Sequence, residues 1–249
     1  ISDGVEIHHD GDLPKQSGLG TSSTFTVALL HSLHALRGEM TTPMQLAHEA
    51  IHVERDMCGD IVGSQDQVAA AYGGVNCIRF RPGNAITVEP VTVPIERLAS
   101  LESHLMLFFT GFSRISSEIA TEQLRNMPRN TAELREMQSM VDEALQILGS
   151  GDIRSFGELL RRAWALKRSL SSKVSNSSID ALFETAVKAG ALGGKLCGAG
   201  GGGFLLLFVE PDKQDRVARA LEGLLHVPFK FERLGSQIIF YQSDRMTIE

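Results

Sequence analysis

The stretch Gly18-Leu19-Gly20-Thr21-Ser22-Ser23 runs straight into the apolar segment Phe25-Thr26-Val27-Ala28-Leu29-Leu30. A turn rich in glycine and hydroxyls at the head of a helix suits an anion. Glycines let a ligand approach the backbone, the helix start offers unpaired N–H groups and the positive end of a dipole, and hydroxyls add donors or a metal ligand. Ser17 belongs to the same loop. Such a turn is also an ordinary N-cap, so two further segments matter. Gly198-Ala199-Gly200-Gly201-Gly202-Gly203 precedes Phe204-Leu205-Leu206-Leu207-Phe208-Val209, a short unbroken apolar run that predicts a buried strand. Five glycines in six positions cost conformational entropy. A linker would bring serines and polar neighbours, whereas core residues abut this run, so close backbone approach is the better account. In the third segment, Glu54-Arg55-Asp56-Met57-Cys58-Gly59-Asp60-Ile61-Val62-Gly63-Ser64-Gln65-Asp66-Gln67, carboxylates flank a short glycine-containing turn.

Taken together, the three segments resemble the GHMP small-molecule kinases, whose pattern is a Gly-Leu-Gly-Ser-Ser phosphate loop, an acidic middle motif and a C-terminal Gly-Ala-Gly-Gly-Gly-Gly loop. The resemblance covers nearly the whole chain. Four stretches resemble the heptose 7-phosphate kinase branch: Gly63 to Gly74, Thr110-Gly111-Phe112-Ser113-Arg114, Trp164 to Ser171, and Gly193-Gly194-Lys195-Leu196-Cys197. What this implies is ATP-dependent, Mg²⁺-assisted phosphorylation of the anomeric hydroxyl of a sugar phosphate, a reaction that asks a protein for positioning and charge neutralisation. By the same resemblance, the loop Ser17, Gly18, Leu19, Gly20, Thr21, Ser22 and Ser23 cradles the triphosphate, and Ser22 and Glu54 hold Mg²⁺, a hard, oxygen-preferring cation. Asp66 accepts or orients the acceptor proton. The loop Gly198, Ala199, Gly200, Gly201 and Gly202 crowds the transferring phosphate and acceptor hydroxyl.

Each residue keeps a plainer alternative. Thr21 and Ser23, which depart from the family's commoner Ser and Ala, serve equally as caps; Glu54 reads also as a solvated helix residue; Asp60 competes with Asp66; Lys195 either meets phosphate or ties down its loop. Arg114 follows an apolar strand and precedes a helix, where anions bind, and is expected at the substrate. Between Arg161 and Lys173 lie five basic residues and no acidic one. Arg161 and Arg168, seven apart, share a helix face, whereas Arg162 and Lys167 point elsewhere. Charge runs are usually solvated faces. Yet Lys167 lies in the Trp-Ala-Leu-Lys segment of the resemblance, which places Lys167, with Arg168, at the substrate's distal phosphate. Other activities occur on this fold: a non-catalytic sugar sensor, a decarboxylase, and anomeric kinases of fucose- or galactose-type sugars or octose phosphates. Ser22, Glu54 and Asp66 together favour a kinase.

Composition agrees. A chain of 249 residues, 43% hydrophobic and 22% charged, can bury a substantial core. Its net charge of −6 argues against nucleic acid, no apolar run reaches the length of a membrane span, and no secretory signal is evident. Cys58, Cys77 and Cys197 lack metal or disulfide spacing, and His8-His9-Asp10 lacks a third ligand. The expected setting is the cytoplasm, with ATP and a small sugar phosphate as partners and a homodimer left open. Since the chain starts at Ile1 on what reads as half a hairpin, an N-terminal segment is expected to be missing.

The elements expected to position these residues form an α+β fold of two domains, 1–98 and 99–249. By resemblance the first is ribosomal-S5-like and the second ferredoxin-like. Periodicity predicts a helix over 22–37 with Phe25, Leu29, Leu33 and Leu36 on one face, and a helix opened by the capping box Thr42-Pro43-Met44-Gln45 with Leu46, Ala50, Val53 and Met57 as its stripe, Glu54 at the margin. A hairpin turns at Pro82-Gly83-Asn84, and residues 90–98 join the domains. A strand over 104–109, helices over 116–126, 131–148, 153–170 and 179–189, a strand at 203–209, a helix over 213–225 and strands near 229–231 and 238–240 complete the expectation.

Overall fold

The computed structural model describes residues 4–12, 18–111 and 116–242. The chain divides into two compact units: one gathers Gly20–Pro90 with the segment from Glu232 onward, the other Val91–Phe231 with Gly18 and Leu19.

In the first unit, helix α1 (Thr21–Leu36) starts at Gly20, whose φ of 70° is left-handed. Helix α2 (Pro43–His52) is capped as its sequence predicts: the Thr42 hydroxyl accepts the Gln45 N–H at 3.2 Å and Pro43 takes the first helical position. Helix α3 spans Gln65–Tyr72. Strands β1 (Asn76–Arg81) and β2 (Ala85–Pro90) pair antiparallel, Asn76 opposite Pro90. Their turn uses left-handed Gly83 and Asn84. Val27, Leu46, Ala47, Ala50, Val68 and Ala71 form the core.

Two expected stripes are rotated. On α1 the buried positions are Ser23 and Val27, with Leu30 packed beside them, while Phe25 and Leu36 are exposed. After α2 the helix widens into a π turn, Val53–Met57, which changes the residue facing inward. Glu54 is buried and Met57 exposed, the reverse of the expected stripe. π-Turns often accompany functional sites.

The expected strands at 229–231 and 238–240 do not form. Instead, the Gly74 N–H donates to the Glu232 carbonyl and the Ser236 N–H to the Ala70 carbonyl, each at 3.0 Å. Gly73 and Gly235 lie so close to the opposing backbone that neither position has room for a Cβ. The C-terminal segment therefore docks on the end of a helix rather than on a sheet.

The second unit is built on strands β3 (Leu105–Phe109), β4 (Ala191–Leu196), β5 (Phe204–Val209) and β6 (Leu225–His226), antiparallel in the order β4-β5-β3-β6. Its helices are α4 (Ile95–Ser103), α5 (Ser116–Asn126), α6 (Thr131–Gly149), α7 (Arg154–Ser169), α8 (Ser177–Ala189) and α9 (Gln214–Ala220). Strand, helices, two strands, helix and strand in this neighbour order are the ferredoxin-like arrangement. Leu196, Leu205, Leu207 and Val209 meet Trp164, Ile179 and Ala186 in the core.

Three elements here were not expected, one of them β6, which follows a helix that ends at Ala220 instead of running to 225. Helix α4 occupies much of the supposed connector, and its Arg97 guanidinium donates to the carbonyls of Ile147, Leu148 and Gly151 at 2.6–2.7 Å, capping the end of α6. Strand β4, for which no strand was expected, carries Gly193-Gly194 in its interior. A Cβ on Gly193 would strike the Gly157 carbonyl and Arg161 of α7, and one on Gly157 would lie 2.7 Å from the Phe208 ring. These glycines let helix and sheet approach closely.

Candidate functional site

In the first unit the site grows from the head of α1. Among the described residues no side chain caps this helix start and no acidic residue lies in its first turn, so its leading N–H groups keep their capacity for an anion. One turn in, Ser23 and Thr26 face inward and meet Glu54, which the π turn brings to 3% exposure. The Ser23 hydroxyl donates to Glu54 Oε2 at 2.9 Å and the Thr26 hydroxyl to Oε1 at 3.1 Å. The Gln67 amide on α3 donates to Oε2 as well. A carboxylate has about four lone-pair directions; three are filled, two on Oε2 and one on Oε1. Ser22 is exposed and makes no hydrogen bond to Glu54 among the described residues.

Asp66, in the first turn of α3, sits against Gly20 at the head of α1: a Cβ on Gly20 would lie 3.1 Å from its Cγ. Asp60 is exposed, with only its backbone tied to the Glu54 carbonyl. Among the described residues no group of three or more His, Cys, Asp or Glu could hold a metal ion. The donors around Glu54 are all oxygens save the Gln67 amide nitrogen, and the Gln67 Oε1 beside them is buried without a hydrogen-bond partner. That set fits a hard cation such as Mg²⁺, which takes one or two protein oxygens and completes its shell with phosphates and water.

The second unit has its own glycine loop. Gly198, Gly200, Gly201 and Gly203 all have positive φ. A Cβ on Gly198 would lie 2.6 Å from Gly18 Cα, and one on Gly200 2.6 Å from the Val174 carbonyl oxygen. The loop is held by its carbonyls: Gly198 O accepts from Lys167 Nζ, Ala199 O from Gln123 at 3.2 Å, and Gly203 O from the Thr110 hydroxyl at 2.9 Å. The Gly201 N–H is spent on Val174 O. Among the described residues, the N–H groups of Gly198, Ala199, Gly200 and Gly202 make no hydrogen bond, so these backbone donors stay available to an anion. Burial pushes the Cys197 thiol up in pKa, against the opposing pull of Lys195 and Lys167.

The basic run of α7 divides. Lys167 reaches the glycine loop, whereas Arg168 turns to Asp180 at 3.3 Å and Arg162 to Glu143 at 2.8 Å. Arg161 and Arg168 do share a face, lining a cleft with Trp164 and Phe183. Ser17 and Arg114 lie outside the described residues. Thr26 and Gln67 were not among the expected site residues. Their signal was a polar side chain inside a buried helical stripe: Ser23, Thr26, Val27 and Leu30 on α1, and Gln67, Val68 and Ala71 on α3.

Comparison with known proteins places this geometry in a family. Residues 2–74 match the GHMP kinases N terminal domain and residues 118–226 the GHMP kinases C terminal domain. The chain is 30% identical over 218 residues to a D-glycero-alpha-D-manno-heptose 7-phosphate kinase from Campylobacter jejuni, covering 86% of this chain and 64% of that protein. It is 28% identical to the bifunctional fucokinase/GDP-fucose pyrophosphorylase of Arabidopsis thaliana, over 89% of this chain and 21% of that one. A D-glycero-D-manno-heptose 1-phosphate kinase structure from Bacteriodes thetaiotaomicron superposes with a TM-score of 0.67 at 28% identity, covering 93% of this chain and 66% of its own. The chain thus spans a little under two thirds of the heptose kinases it matches. With matches to both domains of the family, the chain belongs to the GHMP kinases.

Proposed function

We propose that this chain carries the phosphoryl-transfer core of an ATP-dependent sugar-phosphate kinase acting on the anomeric hydroxyl of a heptose 7-phosphate-like substrate. The observation that carries the reading is the glycine loop, whose carbonyls are anchored by Lys167, Gln123 and Thr110 while the N–H groups of Gly198, Ala199, Gly200 and Gly202 have no partner among the described residues. Such donors stabilise charge on a transferring phosphoryl group. The start of α1 supplies a second set of open N–H donors for the triphosphate, with the exposed Ser22 hydroxyl among them. Ser22 and Glu54 would hold Mg²⁺, which when bound neutralises phosphate charge. The contact of Glu54 with Ser23 rather than Ser22 points to a single open lone pair on Oε1 as its contribution.

Asp66 fits the role of proton acceptor, because it lies against the phosphate loop whereas Asp60 is exposed. Lys167 brings a positive charge to the glycine loop, and its place there supports a contact with substrate phosphate. Arg168, engaged by Asp180, has less support in that role. The similarity to a heptose 7-phosphate kinase and to a fucokinase favours a sugar as acceptor. The test is ADP release by the full-length protein with a panel of acceptors, with and without Mg²⁺. Release with a phosphorylated heptose above all others is expected. Preference for unphosphorylated fucose or galactose would favour the other sugar kinases, and ligand binding without ADP release a sensor.

A further inference from the structure

The Gln67 side chain is fully buried, its amide nitrogen donating to Glu54 Oε2 and its amide oxygen without a hydrogen-bond partner. A buried amide oxygen left unpaired keeps its full desolvation penalty, so a core position with no other duty would favour an apolar residue of similar size. The neighbouring core residues Val68 and Ala71 are apolar. Among the described residues Glu54 Oε2 accepts from both Ser23 and Gln67, while Oε1 accepts from Thr26 alone. The three donors come from two helices, and only the Gln67 donor comes from α3, the helix that also bears Asp66.

From this asymmetry we infer that Gln67 is a positioning residue: it fills Oε2 so that Glu54 presents one remaining lone pair, on Oε1, to a divalent cation, and its own amide oxygen accepts a hydrogen bond from a water of that hydrated cation. Ser23 and Thr26 hydroxyls can rotate to donate or accept. The Gln67 amide nitrogen can only donate, so it fixes which oxygen of Glu54 is occupied. It also couples the cation ligand to the helix of Asp66, one residue away. This inference rests on the reading of Glu54 as a cation ligand.

The experiment measures Mn²⁺ binding to the full-length protein in the presence of ADP, from the loss of the free Mn²⁺ electron-spin signal. Thermal melting and the KM and kcat for each substrate are measured on the same samples. In Gln67→Met, matched in length and apolar, Mn²⁺ affinity should fall about 10–100-fold, as for other partners behind a metal ligand, with the sugar KM unchanged. A Mn²⁺ affinity within twofold of wild type in a folded Gln67→Met protein overturns the proposal. Glu54→Gln separates the two levels: if it weakens Mn²⁺ binding while Gln67→Met does not, only the role of Gln67 fails. If neither does, the reading of Glu54 fails with it. Should Gln67→Met not fold, the exchange E54Q/Q67E restores one carboxylate and one amide in contact. Its melting should approach wild type while Mn²⁺ binding stays weak, because the carboxylate now hangs from α3. Wild-type Mn²⁺ affinity in the exchange would contradict the proposal.

Discussion

At the scale of single residues, burial and register decide between chemically equal candidates. Asp60 and Asp66 are both carboxylates in one glycine-containing segment, and the sequence alone left them in competition. The fold puts Asp66 in the first turn of α3 against Gly20 and leaves Asp60 exposed. A positioned base contributes about 10²–10⁴-fold, so Asp66→Asn in the full-length protein should lower kcat on that order with ATP affinity preserved. Asp60→Asn should lose less than about threefold, far short of a base's contribution. Steady-state kinetics with both substrates varied would expose a reversal, and a larger loss in Asp60→Asn would move the base to that position. Glu54 shows what sequence reading lacks: a carboxylate at a stripe's margin reads as solvated, because burying one is costly without partners. Its three partners come from α1 and α3, 28 and 31 residues before it and 13 after it, too distant in sequence for any local pattern to announce.

At the scale of elements, long periodic helices and the capping box were legible, since each carries its signal within one window. What escaped depended on other elements. The π turn after α2 moved the buried face by forming where Glu54 has partners to meet. Strand β4 hid behind glycines whose reason is the Gly157 backbone of α7. The segments 229–231 and 238–240 had strand composition but no neighbouring strand to pair with.

One inter-helix contact is titratable. The two ring nitrogens of His34 on α1 face Glu49 on α2 at 2.6 Å and Glu39 at 3.0 Å. Both can donate only if the ring is charged, and the Glu49 carboxylate foremost raises the His34 pKa above its ordinary range. Glu49 is lowered in turn by Gln45 and His34, against the desolvation that opposes it. A raised histidine stabilises the fold below its unfolded pKa of about 6.5 and loses that contribution as pH rises through the folded value. A lowered glutamate contributes above its ordinary range and loses it as pH falls. The contact is therefore strongest between the two, and His34→Gln should lower the melting temperature most near pH 5–6.5, by a few degrees. The difference should narrow toward pH 9. A difference independent of pH would mean His34 is neutral throughout.

For the whole molecule, three short motifs spread over the chain carried family membership, because each preserves a backbone geometry that few residue types allow. Substrate choice is less legible. Lys167 looked like a contact to a distal phosphate, and the fold shows it first as a donor to the Gly198 carbonyl. Lys167→Ala should therefore reduce turnover of any acceptor by loosening the glycine loop. Beyond that common loss, the ratio of kcat/KM for phosphorylated to free sugar should fall roughly ten- to a hundredfold, the equivalent of one charge-assisted hydrogen bond. Equal losses for both acceptors would confine Lys167 to the loop.

The role proposed for the open N–H groups, those of the α1 start and those of the glycine loop, is phosphoryl transfer to a sugar. Its most direct measurement is ³¹P NMR of the full-length protein incubated with MgATP and a heptose 7-phosphate. A new sugar phosphate resonance split by the anomeric proton should appear in step with ADP, and it should be lost without Mg²⁺. ADP accumulating with inorganic phosphate alone, or no new phosphorus resonance with any sugar phosphate offered, would contradict the account.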